Sequence, residues 1–93
     1  MDPAITVHVF GQLREYCGGA EQLSLSARTV RDALASLERT QSKLYRNLCD
    51  ETGRVRPHLN IFVNSDNVRD LNGVDTPLSA GDVLTFLPAV SGG

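Results

Sequence analysis

The chain is short of the groups from which metal centres are built. Its two cysteines, Cys17 and Cys49, lie 32 positions apart and neither belongs to a Cys-x-x-Cys pair. They therefore assemble neither a structural zinc site nor a four-cysteine iron–sulfur site, and reduced thiols are the simplest reading. His8 and His58 stand 50 positions apart, with no third ligand suggested near either, which favours surface or strand histidines over a metal site. A basic excess is also missing. Nine lysines and arginines are scattered among eleven acids, for a formal net charge of −2. A phosphate backbone demands a clustered basic surface, so nucleic acid is not an expected partner. No apolar run approaches the roughly 20 residues of a membrane span, and the opening "MDPAITVHVF" has no basic segment ahead of an apolar one. The expectation is a soluble cytoplasmic protein with no membrane partner. No nucleophile–base pair and no phosphate-cradling loop emerges, so an independent enzyme is the least favoured class.

What is present fits one small domain. With 93 residues, 41% hydrophobic and 22% charged, the chain can close a single modest core without disulfides or metal. "ITVHVF" alternates from Ile5, placing Ile5, Val7 and Val9 on one side and Thr6, His8 and Phe10 on the other, the pattern of a half-buried strand. The loop "GQLREYCGGAEQ" leads to a second alternating run, "LSLS", with Leu23 and Leu25 inward, which predicts a first hairpin with a long connection. At "TVRDALASLER" the period changes to helical, through Val30, Ala33, Leu34 and Leu37, and Thr29 with Asp32 has capping-box spacing. A shorter helical segment is expected to bury Leu44 and Leu48 before Gly53 and Pro57. "HLNIFVN" alternates again, with Leu59, Ile61 and Val63 on one face, and "VLTFL" supplies the final strand with Leu84 and Phe86 inward. The order is hairpin, helix and further strands, an α+β protein of β-grasp (ubiquitin-like) type with a mixed sheet packed on one main helix. The domain is expected to span residues 1–87, with a flexible tail over 88–93.

That tail has unusual chemistry. Gly92 and Gly93 follow a hydrophobic strand in "LPAVSGG", and glycine lacks the Cβ that would collide in a narrow channel. Pro88 restricts the backbone where the tail leaves the strand. A second signal is the face of the sheet turned away from the helix. If the inward residues above cover the helix, that other face carries Phe10, Phe62, Val83 and Leu87. Large apolar groups on a solvent face suit protein docking, although scattered surface hydrophobes or a covering loop would account for them as well. Cys17, in "YCGG", reads as an ordinary loop or core thiol.

The opening "ITVHVFGQLREYCG", the central "FVN" and the ending "PLSAGDVLTFLPAVSGG" together resemble the MoaD/ThiS family of ubiquitin-like sulfur carriers over nearly the whole chain. The "LPAV-x-GG" ending and the extended middle are most similar to the CysO-type carriers of cysteine synthesis, with Ser91 standing where that ending often has alanine. The resemblance implies a mechanism. An E1-like adenylyltransferase of MoeB/ThiF type uses ATP to adenylate Gly93, and a sulfurtransferase or other persulfide donor displaces AMP. The resulting thiocarboxylate passes sulfur to a downstream synthase, in cysteine, molybdopterin or another biosynthesis. The chain itself binds no cofactor and no metal. The family's partner contacts map by position onto Phe10, Val68 and Leu87, with Phe62, Pro88 and Val90 beside them and Gly92–Gly93 as the reacting end. A ubiquitin-like modifier conjugated to lysines through Gly93 is the alternative, and a noncatalytic interaction domain is a third reading.

Overall fold

The computed structural model describes residues 2–88. Five strands form one mixed sheet in the order β2-β1-β5-β3-β4: β1 Ala4–Val9, β2 Gln22–Ser26, β3 Leu59–Val63, β4 Asp66–Asn67 and β5 Val83–Pro88. β1 and β2 are antiparallel, as are β5 with β3 and β3 with β4, while β1 and β5 run parallel at the centre. The first hairpin is therefore as expected, but its connection is not a plain loop. Gly11–Cys17 forms a 3-10 helix that buries Leu13 and Cys17. Gly18 ends it with a φ of 69°, a left-handed conformation that glycine adopts without a Cβ clash.

Helix α1, Val30–Thr40, lies on one face of the sheet and buries Val30, Ala33, Leu34 and Leu37, the i, i+3, i+4, i+7 stripe of an amphipathic helix. Its N-terminus is capped by Thr29, whose Oγ1 accepts the Asp32 N–H at 3.2 Å. The return contact of the expected capping box shifts by one residue, since the Asp32 carboxylate accepts from the Arg28 N–H at 3.4 Å. One residue, Gln41, then separates α1 from α2, Ser42–Leu48. Gln41 donates its N–H to Leu37 and accepts from Tyr45, so it closes one helix and opens the next. Leu44 and Leu48 of α2 are fully buried. The core is thus built from β1, β3 and β5 (Ile5, Val7, Val9, Leu59, Ile61, Val63, Leu84, Phe86) against these two helices. Leu23 and Leu25 of β2 pack partly buried at its edge.

The long connection before β5 is tied back to the start of α1. Val30 donates to the Thr76 carbonyl at 3.2 Å and Leu78 to the Arg28 carbonyl at 2.8 Å. The Thr76 hydroxyl is buried but satisfied, donating to Gly73 and accepting from Asn72. A polar group buried without such partners costs about 1–3 kcal/mol. No helix among the described residues is long and apolar enough to cross a membrane.

Candidate functional site

Two local devices place the strand that leads to the carboxyl end. β5 begins at the turn Ser79–Asp82, where Gly81 has a φ of 87° and donates to the Ala4 carbonyl at 2.9 Å. The Asp82 carboxylate accepts the Ser79 N–H at 2.8 Å and the Asn64 amide at 3.1 Å. Asn64 stands at the end of β3 with a φ of 56°, a region that asparagine tolerates better than most side chains. Its Oδ1 accepts the Val83 N–H at 3.0 Å, and its own N–H donates to the Val83 carbonyl at 2.7 Å. Asn64 and Asp82 thus lock the first residue of β5 to its neighbour. The sequence pattern alone gave Asn64 no role; the asparagine directly after an alternating run was the available signal.

From that anchor the register runs to the other end of the strand. Val9 pairs with Phe86 across the parallel β1–β5 ladder, and Asn60 pairs with Leu87 across the antiparallel β5–β3 ladder. Pro88 lies in β5 opposite Leu59, so the strand takes in the first residue assigned to the tail. Proline is tolerated there because a strand end can spare one N–H donor.

The sheet face away from the helices carries His8, Thr85, Phe62 and Leu87 by register. Phe10 continues β1 in extended conformation, one residue past the strand. Phe10 is 39% exposed and Leu87 42% exposed, while Phe62 and Val83 are half-buried. The Phe10 ring is held from two sides. His8 meets it edge-on at 6.1 Å between centroids, and the Arg14 guanidinium lies 5.9 Å from its centre. Arg14 in turn donates Nε to the Val9 carbonyl at 2.9 Å, and His8 shares a 3.2 Å hydrogen bond with Gln22. An arginine over an aromatic face is attracted by the ring quadrupole.

One expected contact residue does not belong to this face. Val68 is only 5% exposed and joins the core. It opens a 3-10 turn, Val68–Asp70, in which the Asn67 side chain accepts from the Arg69 N–H at 2.9 Å, and that cap rolls Val68 inward. It is corrected from a partner contact to a core residue. Val90, Gly92 and Gly93 lie outside the described residues.

Both thiols are buried. Burial pushes the Cys49 thiol up from its ordinary range, against the opposing effect of a hydrogen bond with Tyr45. Burial likewise raises Tyr45. A protonated, buried thiol is a poor nucleophile, so burial and this shift both work against reactivity at Cys49.

A five-stranded mixed sheet in the order 2-1-5-3-4, with its main helix across one face, defines the ubiquitin-like β-grasp class. Within that class the sequence is specific: the ThiS family model matches residues 7–93. The chain belongs to the ThiS family. The sulfur carrier protein CysO of Mycobacterium tuberculosis is 35% identical over 91 residues, covering 96% of this chain and 98% of that protein. The solution structure of small archaeal modifier protein 1 from Methanosarcina acetivorans superposes with a TM-score of 0.87 at 33% identity, covering 100% of this chain and 99% of the other. The crystal structure of the Amycolatopsis orientalis BexX/CysO complex contains a chain that superposes with a TM-score of 0.86 at 30% identity, covering 96% and 99%.

Proposed function

We propose that this protein is a sulfur carrier whose Gly93 carboxylate is activated by an E1-like adenylyltransferase and converted to a thiocarboxylate. The reading is carried by one observation: the strand that leads to Gly92–Gly93 runs through the middle of the sheet beside exposed Phe10 and Leu87. A partner that grips this face holds the end of β5 in a fixed position. The five residues after Pro88 span at most about 17 Å when extended, and glycine at the last two positions admits them to a narrow channel.

The chemistry follows from the carboxylate. At neutral pH it is anionic and offers no good leaving group, so ATP must first convert it to an acyl-adenylate in the partner's active site, with release of pyrophosphate. A persulfide sulfur then attacks the acyl carbon and AMP departs. Reductive cleavage of the S–S bond by a thiol leaves the thiocarboxylate, whose anionic sulfur is the nucleophile passed to a downstream synthase. In this reading the carrier supplies the reacting terminus and the docking face, while the partner supplies ATP binding, acid–base groups and the sulfur donor. The CysO likeness supports cysteine as the destination of the sulfur.

The likeness to a small archaeal modifier protein supports a second reading, conjugation through Gly93 to lysines. Both begin with adenylation and part at the second step. Incubation with the E1-like enzyme, ATP and a sulfur donor, followed by intact mass spectrometry, separates them: oxygen-to-sulfur exchange at Gly93 for the carrier, isopeptide adducts for the modifier. The chain offers one lysine of its own, Lys43, exposed in the first turn of α2, so self-linkage would map to that position and vanish in Lys43→Arg.

A further inference from the structure

The strand positions of the open sheet face carry no carboxylate among the described residues, although the chain holds eleven acids against nine lysines and arginines; Glu21 lies beside them, lining a shallow recess with His8, Phe10, Arg14 and Gln22. Every position the register assigns to that face is apolar, hydroxyl, amide or imidazole. The one acid within a strand, Asp66, pairs with Val63 and so belongs to the other face. Two arginines stand at the end of the sheet where β5 finishes, one on each side. Arg14 donates to the Val9 carbonyl at 2.9 Å. Arg69 donates Nη2 to the carbonyls of Pro57 at 2.9 Å and Leu59 at 3.3 Å, and Leu59 is the register partner of Pro88. Both guanidiniums are therefore fixed to the ends of the two strands that flank β5.

A guanidinium has five N–H donors, more than these carbonyls take. Arg14 has a further contact with Glu21 at 3.8 Å, between exposed side chains, and such a pair is worth little in water. A face whose strand positions lack acids, bordered by two anchored guanidiniums, is complementary to a surface bearing carboxylates, which arginine receives in bidentate geometry.

Building on the docking reading above, we propose that the protein surface received here carries aspartate or glutamate side chains on both sides of its apolar contact with Phe10 and Leu87, one meeting Arg14 and the other Arg69. The absence of acids at the strand positions of this face then lowers like-charge repulsion against that partner. Paired charges at a solvated rim act mainly by steering encounter, so their signature is a fast association that salt slows.

The test uses the full chain and the purified E1-like adenylyltransferase of the source organism, with association rates measured from low to high salt. Arg14→Gln with Arg69→Gln should lower the low-salt association rate about tenfold and flatten the salt dependence. Because Arg14 also braces Val9 and Phe10, a second variant leaves both anchors intact: Asn60→Asp adds a carboxylate beside Leu87 with little change in shape. It should weaken low-salt binding several-fold, an effect that fades as salt rises. Wild-type rate and salt slope in both variants, alongside failure of Phe10→Asp to bind, would show an apolar contact alone and overturn the proposal. In that outcome wild-type protein still acquires sulfur at Gly93, so the carrier reading stands. A wild-type chain that never binds the enzyme overturns both.

Discussion

Val9 and Phe86 are partners in the parallel β1–β5 ladder, and the residues that follow them, Phe10 and Leu87, are two of the most exposed large apolar side chains described. The two facts are linked. Val9 and Phe86 point into the core, so the alternation of a strand turns the next residue of each to the opposite face. Parallel register then carries both exits to the same end of the sheet, where the chain continues toward Gly93. A core constraint thereby places the apolar patch at the root of the tail.

Phe10→Asp or Leu87→Asp should weaken binding to the activating enzyme about tenfold to a hundredfold, since a carboxylate desolvated in an apolar contact costs about 1–3 kcal/mol. Stability should change little, because neither side chain belongs to the core. Calorimetric titration checks the first statement and thermal denaturation the second; unchanged affinity in both variants would remove this patch from the docking account.

Asn64 ties β3 to the start of β5 through a side-chain acceptor and a backbone with positive φ. Asn64→Ala loses the bond and retains the strained backbone, and should cost about 1–3 kcal/mol in chemical denaturation. Asn64→Gly, which relieves the strain but not the lost bond, should fall between it and the wild type.

The turn after α2 should respond to acid. Asp50 Oδ1 accepts the Thr52 hydroxyl at 2.6 Å, the Thr52 N–H at 2.9 Å and the Arg54 N–H at 3.1 Å. The Thr52 side chain is the leading cause that holds this carboxyl below its ordinary value. A carboxyl whose pKa is lower folded than unfolded binds its proton more readily in the unfolded chain, so its contribution is present above the unfolded value of about 3.9 and disappears as pH falls through the folded one. Asp50→Asn should therefore be less stable than wild type at neutral pH and should converge with it in strong acid. An equal gap at both pH values in denaturation curves would assign the effect to packing instead.

Much of this architecture was legible from periodicity. The alternation around Val7 and Ile61 and the helical stripe Val30–Leu37 each have one buried face, and burial is what imposes a period on a sequence. The segments read less well have no such period. The 3-10 helix Gly11–Cys17 is a single short element that buries only Leu13 and Cys17, too few positions to show a repeat, so it reads as a loop. Val68 was misplaced because a three-residue turn determines its direction, through a hydrogen bond between Asn67 and Arg69 that no hydrophobic pattern encodes. The docking face was visible as the complement of the inward residues. The arginines beside it were not, because Arg14 and Arg69 are 55 positions apart and meet the same sheet end only through the β1–β5–β3 pairing.

The central claim is that the carboxyl end is the reacting group. Intact mass spectrometry of the wild-type chain after incubation with the E1-like enzyme, ATP and a sulfur donor tests it most directly, beside a variant lacking Gly93 and one extended by a C-terminal tag. Displacing or blocking the acyl carbon should abolish reaction, because catalysis tolerates a misplacement of only about 1 Å. Melting should stay within about 0.5 kcal/mol of wild type, as for surface changes. We expect the mass of an oxygen-to-sulfur exchange on the wild-type chain, located to Gly93 by fragmentation, and no such gain on either variant. An equal gain on the truncated or tagged chain would contradict the account.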